Sequence, residues 1–323
     1  MILILTDSYD KHADVVIGKL RERGADLFRL NLDTQSLQST AVTFDGTRWV
    51  IQTESGTICS DVVRSVWLRR PFVELTLQEQ DDNDPNFKIW RGEWNKTLLG
   101  FYSQLRSVPW LNPLRAAYRA ENKYLQMEEA VKVGLQLPPT LVSNEKKKLV
   151  GFVEQHKQVV LKLMTQEFYQ DVDGTYKGIY VNCIAASDLE DFGGLSENPV
   201  VLQAYIPKSF EVRYTVVGNE HHVCRIDSQK SQVARIDWRR YDVPNTPHLS
   251  IQSPLEIQDK VNQLLKNLGI IYGALDFIVT PLGEWYFLEV NATGQWLWIE
   301  DLTGLSISDS IADWLVHIQK EAQ

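Results

Sequence analysis

Cysteine is scarce in this chain, and its scarcity excludes two classes of protein. The three cysteines among 323 residues, Cys59, Cys183 and Cys224, are odd in number and widely spaced. They stand in strand-like contexts and match neither a disulfide framework nor a zinc-ligand pattern, so a reducing, cytoplasmic setting fits. Long apolar runs are missing too, none approaching the roughly 20 residues of a membrane span. The opening MILILTDSYD is too short and too acidic at its end for a signal peptide and reads as a buried first strand. Basic charge is in deficit: a formal net charge of −9 and a pI near 5.3 argue against nucleic acid as a partner, because neutralising phosphates takes a basic surface. No GxGxxG follows the first strand, which removes the dinucleotide fingerprint. Internal repeats and low-complexity tracts are also absent.

What remains is a composition that folds. Hydrophobic residues make up 44% and charged residues 23%, enough apolar surface for a large core in two or three domains. Ten tryptophans are scattered along the chain, as expected for core and interface packing rather than a stacking platform.

The patterning is that of an α/β chain. MILILTDS, the amphipathic DKHADVVIGKLRERGA and DLFRLNLD read as strand, helix and strand, a βαβ opening. VTFDGTRWVIQT is a hairpin around its Asp-Gly turn, and VRSVWLRRP ends a further strand at Arg69 and Arg70. QDDNDPN is a loop leading into a helix over FKIWRGEWNKTLLGFYSQL. Two prolines in VPWLNPLRAAYRAENK mark a boundary near residue 118, so the first domain is expected to span 1–118. Beyond it come the helix ENKYLQMEEAVKVG, a helix and strand in GFVEQHKQVVLKLMT, and a hairpin in QDVDGTYKGIYVN. The glycine-bearing tip of that hairpin reads either as a phosphate-covering flap or as an ordinary turn. Strands in PVVLQAYIP, FEVRYTVVG and HHVCRIDSQ, a helix near 254–268, the pair ALDFIVT and WYFLEVN, and a closing helix complete the chain.

The carboxy-terminal pair raises a chemical question. With PLGE as a regular hairpin connection, Thr280 sits opposite Trp285, Asp276 falls opposite Glu289, and Asn291 lies on the same face. Two facing carboxylates repel, and each is costly to bury as an unpaired ion, so the arrangement calls for a cation or a proton. Mg²⁺, a hard ion that shares its coordination with nucleotide phosphates, is one answer; acids hydrated at a solvent-exposed hairpin end are the other. Lys162, inside the apolar VVLKLM, reads either as a buried ammonium awaiting an anion such as a nucleotide phosphate or as an edge lysine reaching out to water. FEVRYTVVG alternates, with Phe210, Val212 and Tyr214 on one face and Glu211, Arg213 and Thr215 on the other. Arg213, and the Arg235, Asp237, Arg239 and Arg240 of ARIDWRRY, suit either structural ion pairs or the clamping of a carboxylate or phosphoryl group.

Taken in order, Lys123, Lys162, the segment QAYI, Glu211 and Arg213 as ExR, and Asp276, Glu289 and Asn291 resemble the ATP-grasp superfamily over about residues 119–300. SVWLRRP, SVPWLNPL, AENKYLQMEEAVKVGL, DWR and FLEVNATGQW are similar to the microviridin-type peptide macrocyclases within it, over nearly the whole chain. Ligases that add glutamate to protein tails are close relatives. The resemblance implies an ATP-grasp fold behind an N-terminal βαβ pre-ATP-grasp domain at 1–118, a central subdomain at 119–202 and a C-terminal subdomain at 203–323. It implies ATP and Mg²⁺ as cofactors, with Lys123 and Lys162 on the phosphates, Gln203, Ala204, Tyr205 and Ile206 holding adenine, Glu211 the ribose, and Asp276, Glu289 and Asn291 the metal. Arg213 and Arg235 would orient the acceptor carboxylate, and Asp237 is the candidate proton acceptor. A leader and core precursor peptide is the implied partner, its leader held by Asp188, Glu190 and Asp191 of the acidic ASDLEDFGG. Ser187 stands where a relative offers an acid, and Ala292 replaces the proline common after the metal-ligating asparagine.

The implied reaction is closure of rings within that peptide: Asp or Glu side chains, activated as acyl phosphates, are attacked by Ser or Thr hydroxyls or Lys amines. Two alternatives stand beside it: a ligase adding an amino acid to a protein tail or small molecule, and a non-catalytic nucleotide- or peptide-binding relative. The retained metal triad weighs against the second. The sequence leaves the oligomeric state open, a homodimer included.

Overall fold

The computed structural model describes residues 1–164, 168–170, 176–178, 181–190, 192, 198–236, 238 and 242–321. At its N-terminus, the strands Ile2–Thr6, Leu27–Asn31, Ser65–Leu68 and Trp110–Leu111 form a parallel sheet with the first strand between the second and third. The opening strand is buried throughout, as a parallel strand covered on both faces must be. Helix Lys11–Glu22 starts where the Asp10 carboxylate accepts from the backbone N–H groups of His12 and Ala13, and it buries Ala13, Val16, Ile17 and Leu20. The expected Asp-Gly hairpin pairs Ala41–Phe44 with Trp49–Thr53. A third strand, Gly56–Cys59, extends it. A 20-residue helix, Pro85–Gln104, begins with Asp84 as cap and proline in its first turn. A shorter helix, Leu114–Ala120, runs across position 118.

Two antiparallel sheets follow. The central one has the order Asn182–Ile184, Val159–Lys162, Val200–Ala204, Thr140–Ser143, backed by helix Lys146–His156. Leu149, Val153, Val159, Leu189 and Leu202 give it a small core of its own. The other sheet has five strands in the order His248–Ile251, Glu220–Ile226, Phe210–Val217, Tyr272–Val279, Trp285–Asn291. Its inner residues Val212, Tyr214, Val216, Leu275, Phe277 and Phe287 belong to the same core as Leu3, Leu5, Val66 and Phe101 of the N-terminal unit. Helix Ile307–Glu321 locks the two ends of the chain together: Lys19 reaches Asp309 at 2.7 Å, and Arg23 reaches Asp309 and Asp313 at 2.9 and 2.7 Å.

The carboxy-terminal hairpin departs from the expected register. Val279, not Thr280, faces Trp285, and the pairing runs regularly to Phe277 opposite Phe287. A register shift then passes over Leu288, so that Asp276 again faces Glu289. The one-residue difference at the turn and the one-residue shift cancel. The strand Phe210–Val217 is also more buried than its alternation suggests, because Glu211 on its polar face pairs with Lys208 and Arg213 with Asp276 under the Trp238 ring. A helix at Leu297–Thr303, absent from the sequence reading, follows the second hairpin strand. Among the described residues no helix is long and apolar enough to cross a membrane.

Candidate functional site

Asp276 and Glu289 sit opposite each other on neighbouring strands, and the two-residue strand period puts Asn291 beside Glu289 on the same face. The Asn291 amide lies 3.5 Å from Glu289 Oε1. This oxygen-rich corner meets two side-chain cations. Lys123, at the start of helix Lys123–Lys132, approaches Glu289 Oε2 at 3.3 Å and donates to Asn291 Oδ1 at 3.1 Å and to the Val290 carbonyl at 3.2 Å. Arg213, paired in register with Asp276, places Nη1 3.1 and 3.2 Å from its two carboxylate oxygens. Asp276 is 5% exposed and Arg213 is 8% exposed, so neither charge is left to water. Arg213 also lies under the Trp238 ring, 5.3 Å from its centre, with its Nε buried and without a hydrogen-bond partner.

The donors suit Mg²⁺: two carboxylates and an amide oxygen are hard ligands, and the set leaves positions for phosphate oxygens and water. Among the described residues no group of three His, Cys, Asp or Glu side chains could hold a metal, and the Asn291 amide stands beside the two carboxylates. Lys123 and Arg213 neutralise the acids here. A divalent ion would release them toward an anionic ligand.

Next to this corner a cleft of about 650 Å³ opens between the central sheet and the five-stranded sheet. Lys162, Gln203, Ala204, Tyr205 and Ile206 line it from one side, Glu211, Asp276, Ile278, Leu288 and Glu289 from the other. Sheet pairing ends at Ala204, and Tyr205 and Ile206 leave the strand at the cleft wall. The Gln203 amide is held by Thr140 Oγ1 at 3.0 Å. Lys162 is half-buried at the end of its strand and lines the cavity.

One cleft residue escaped the sequence reading. Lys208 is buried, ion-pairs with Glu211 and donates to the Ile236 carbonyl at 2.9 Å. The signal was there: a lysine among Ile206, Pro207 and Phe210, three residues before an acid, poses the same question as Lys162. With it, Lys123, Lys162, Lys208 and Arg213 bring four positive charges to a site whose acids include Glu121, Glu211, Asp276 and Glu289.

Other predicted residues lie elsewhere. Arg235 is exposed and does not line the cleft, although its neighbours Ile236 and Trp238 do. Asp188 and Glu190 are exposed on the turn after the edge strand Asn182–Ile184. Asp188 accepts from the Ala185 N–H at 2.7 Å, and the Glu190 carbonyl accepts from Lys146. Asp191, Asp237, Arg239, Arg240 and the tip of the 168–178 hairpin lie outside the described residues.

Comparison with known proteins adds to this geometry. The family model described as "MvdD pre-ATP grasp domain" matches residues 1–118, and "Prokaryotic glutathione synthetase, ATP-grasp domain" matches 129–295. Among solved structures, a RiPP-associated ATP-grasp ligase of Chryseobacterium gregarium, in complex with ADP and a leader and core peptide, is 30% identical, with TM-score 0.87 over 98% of this chain and 96% of that one. The macrocyclase MdnB of Microcystis aeruginosa MRC is 34% identical, with TM-score 0.79 over 98% of both chains. MdnC of the same organism, bound to its precursor peptide MdnA, is 27% identical, with TM-score 0.83 over 98% and 99%. Among curated proteins, nothing matches.

Proposed function

We propose, for a chain that belongs to the ATP-grasp family and carries an MvdD-type pre-ATP-grasp domain, that it is an ATP-dependent macrocyclase of a ribosomally made precursor peptide. One observation carries the reading: Lys162, the Gln203–Ile206 segment, Glu211, Asp276 and Glu289, far apart in sequence, line a single cleft.

In this reading adenine lies against Tyr205 and Ile206 between the apolar Ile278 and Leu288, and Glu211 takes the ribose. Lys162 and Lys208 hold the phosphates, and Lys123 turns to them from the acidic corner. Asp276, Glu289 and Asn291 would hold Mg²⁺, which would neutralise charge on the phosphates during transfer. Arg213, already desolvated under Trp238, would orient the acceptor carboxylate of the peptide. That carboxylate attacks the γ-phosphorus, releasing ADP and forming an acyl phosphate. A Ser or Thr hydroxyl, or a Lys amine, of the same peptide then attacks the acyl carbon, gives up its proton and expels phosphate. Holding the peptide folded makes this second attack effectively intramolecular. Asp188 and Glu190, exposed beside an edge strand, suit a basic residue of the leader.

Purified protein with ATP, Mg²⁺ and a cognate leader-core peptide is expected to release ADP and to lower the peptide mass by one water per ring. Asp276→Ala or Glu289→Ala should abolish both signals, and a variant with normal turnover would remove the proposed metal site. The match of 129–295 to a glutathione synthetase domain favours a second reading, ligation of a free amino acid. A gain in peptide mass that depends on added amino acid would establish that reading instead. A cytoplasmic setting, where ATP and Mg²⁺ are supplied, completes the proposal, and sedimentation would test a homodimer.

A further inference from the structure

The backbone that carries Asn291 is held from outside its own sheet. Gln126 donates to the Val290 carbonyl at 2.7 Å and accepts from its N–H at 2.9 Å. Glu121 accepts from the Ala292 N–H at 2.8 Å, and Arg69 donates to the Thr293 carbonyl at 3.0 Å. Asn112 does more than any of these. Its Oδ1 accepts from the N–H groups of Ile271 and Tyr272 at 2.6 and 2.8 Å, and its Nδ2 donates to the carbonyls of Tyr272 and Ala292 at 2.8 and 2.9 Å. One primary amide thus spends two acceptor and two donor positions, its full capacity, at a site 1% exposed.

Those four bonds join two particular strands. Tyr272 opens the strand that bears Asp276, and Ala292 directly follows the strand that bears Glu289 and Asn291. Asn112 itself follows Trp110–Leu111, the last strand of the parallel N-terminal sheet. We infer that Asn112 is a positioning residue for the metal site: it fixes the open end of the Asp276 and Asn291 hairpin against the N-terminal sheet, so the N-terminal unit sets the spacing of the three oxygen donors. This inference rests on the proposed metal role of those donors. Side chains that orient ligands from behind are commonly worth about 10–100-fold in metal affinity, and Asn112 acts on two ligand strands at once.

The test measures ADP binding to the full chain by calorimetry across a Mg²⁺ titration. Asn112→Asp keeps the shape but presents only acceptors to the Tyr272 and Ala292 carbonyls; Asn112→Ser removes the bridge without adding charge. Both variants are expected to need roughly 10–100-fold more Mg²⁺ for the same gain in ADP affinity, with Mg²⁺-free ADP affinity within about twofold of the parent protein. In an Asn291→Ala background, adding Asn112→Ser should then cost less Mg²⁺ affinity than it does in the parent protein, because one of the three positioned ligands is gone. Fully additive effects, an unchanged Mg²⁺ requirement, or an equal loss of Mg²⁺-free binding would each overturn the inference while leaving the nucleotide site standing. Failure of both variants to fold would also overturn it, by making the amide a requirement of the fold. If the parent protein itself shows no Mg²⁺-dependent ADP binding, the proposed function falls, and the inference with it.

Discussion

Replacing Lys123 by methionine separates the two jobs assigned to its ammonium group. It lies 3.3 Å from Glu289 Oε2, and the two side chains are only 17% and 13% exposed. At an effective dielectric constant of about 20, a pair at this separation attracts by about 5 kcal/mol. Desolvation offsets much of that, but removing one partner leaves the other charge poorly compensated, a loss of about 3 kcal/mol. For a chain of this length the melting midpoint should fall by roughly 6 °C, at about 2 °C per kcal/mol. Methionine keeps most of the length and apolar stem, so packing contributes little to the change. The acids then need another cation, so Mg²⁺ alone, without nucleotide, should raise the midpoint of Lys123→Met more than that of the parent. Peptide-dependent ADP release should drop even at saturating Mg²⁺, because a phosphate contact is lost. Scanning calorimetry at zero and millimolar Mg²⁺ reads the first two effects. A variant that melts with the parent and responds equally to Mg²⁺ would refute the claim that Lys123 neutralises this corner.

Gly294→Ala tests the loop beyond Asn291: an added Cβ would meet Ala274 Cβ at 2.5 Å and Asn291 Cβ at 3.3 Å. Such overpacking should cost about 1–3 kcal/mol in urea denaturation and weaken Mg²⁺-dependent ADP binding; unchanged stability would mean that the loop has room. Burial, aided by the nearby Arg69 guanidinium, pushes the His12 imidazole down to about 4. Its neutral form is therefore favoured in the fold, and the stability it contributes is complete above about pH 6.5 and lost as the pH falls toward 4. Between pH 7.5 and 5 this loss should be about 2 kcal/mol, and urea melts of His12→Phe should show a flatter profile. An identical pH slope in parent and variant would assign the acid sensitivity to other groups.

The tryptophan count and the acidic pI were poor guides to where function lies, whereas single residues out of keeping with their surroundings were good ones. Lys162 in an apolar strand and Glu289 and Asn291 at the end of another stand out because a buried charge or amide without a partner is expensive. The same logic, applied to Lys208, would have found the ion pair with Glu211. The pairing of Asp276 with Glu289 was reached through a register that differs by one at the turn, and Leu288 restores it. Sequence alternation fixes which residues share a strand face, but it carries no information about a shift within a ladder, which depends on the neighbouring strand.

Local pattern alone determined the βαβ opening, the capped helices, the Asp-Gly hairpin and the polar face of Phe210–Val217, because periodicity, caps and turn residues act over a few positions. Tertiary structure decided what those faces meet: Glu211 with Lys208, Arg213 with Asp276, Lys123 with Glu289 and Asn291. It also brought Asn112 to Ala292 across 180 positions of sequence. Such contacts are set by how sheets stack and which buried charges find partners, a choice made by the whole core and written in no single segment.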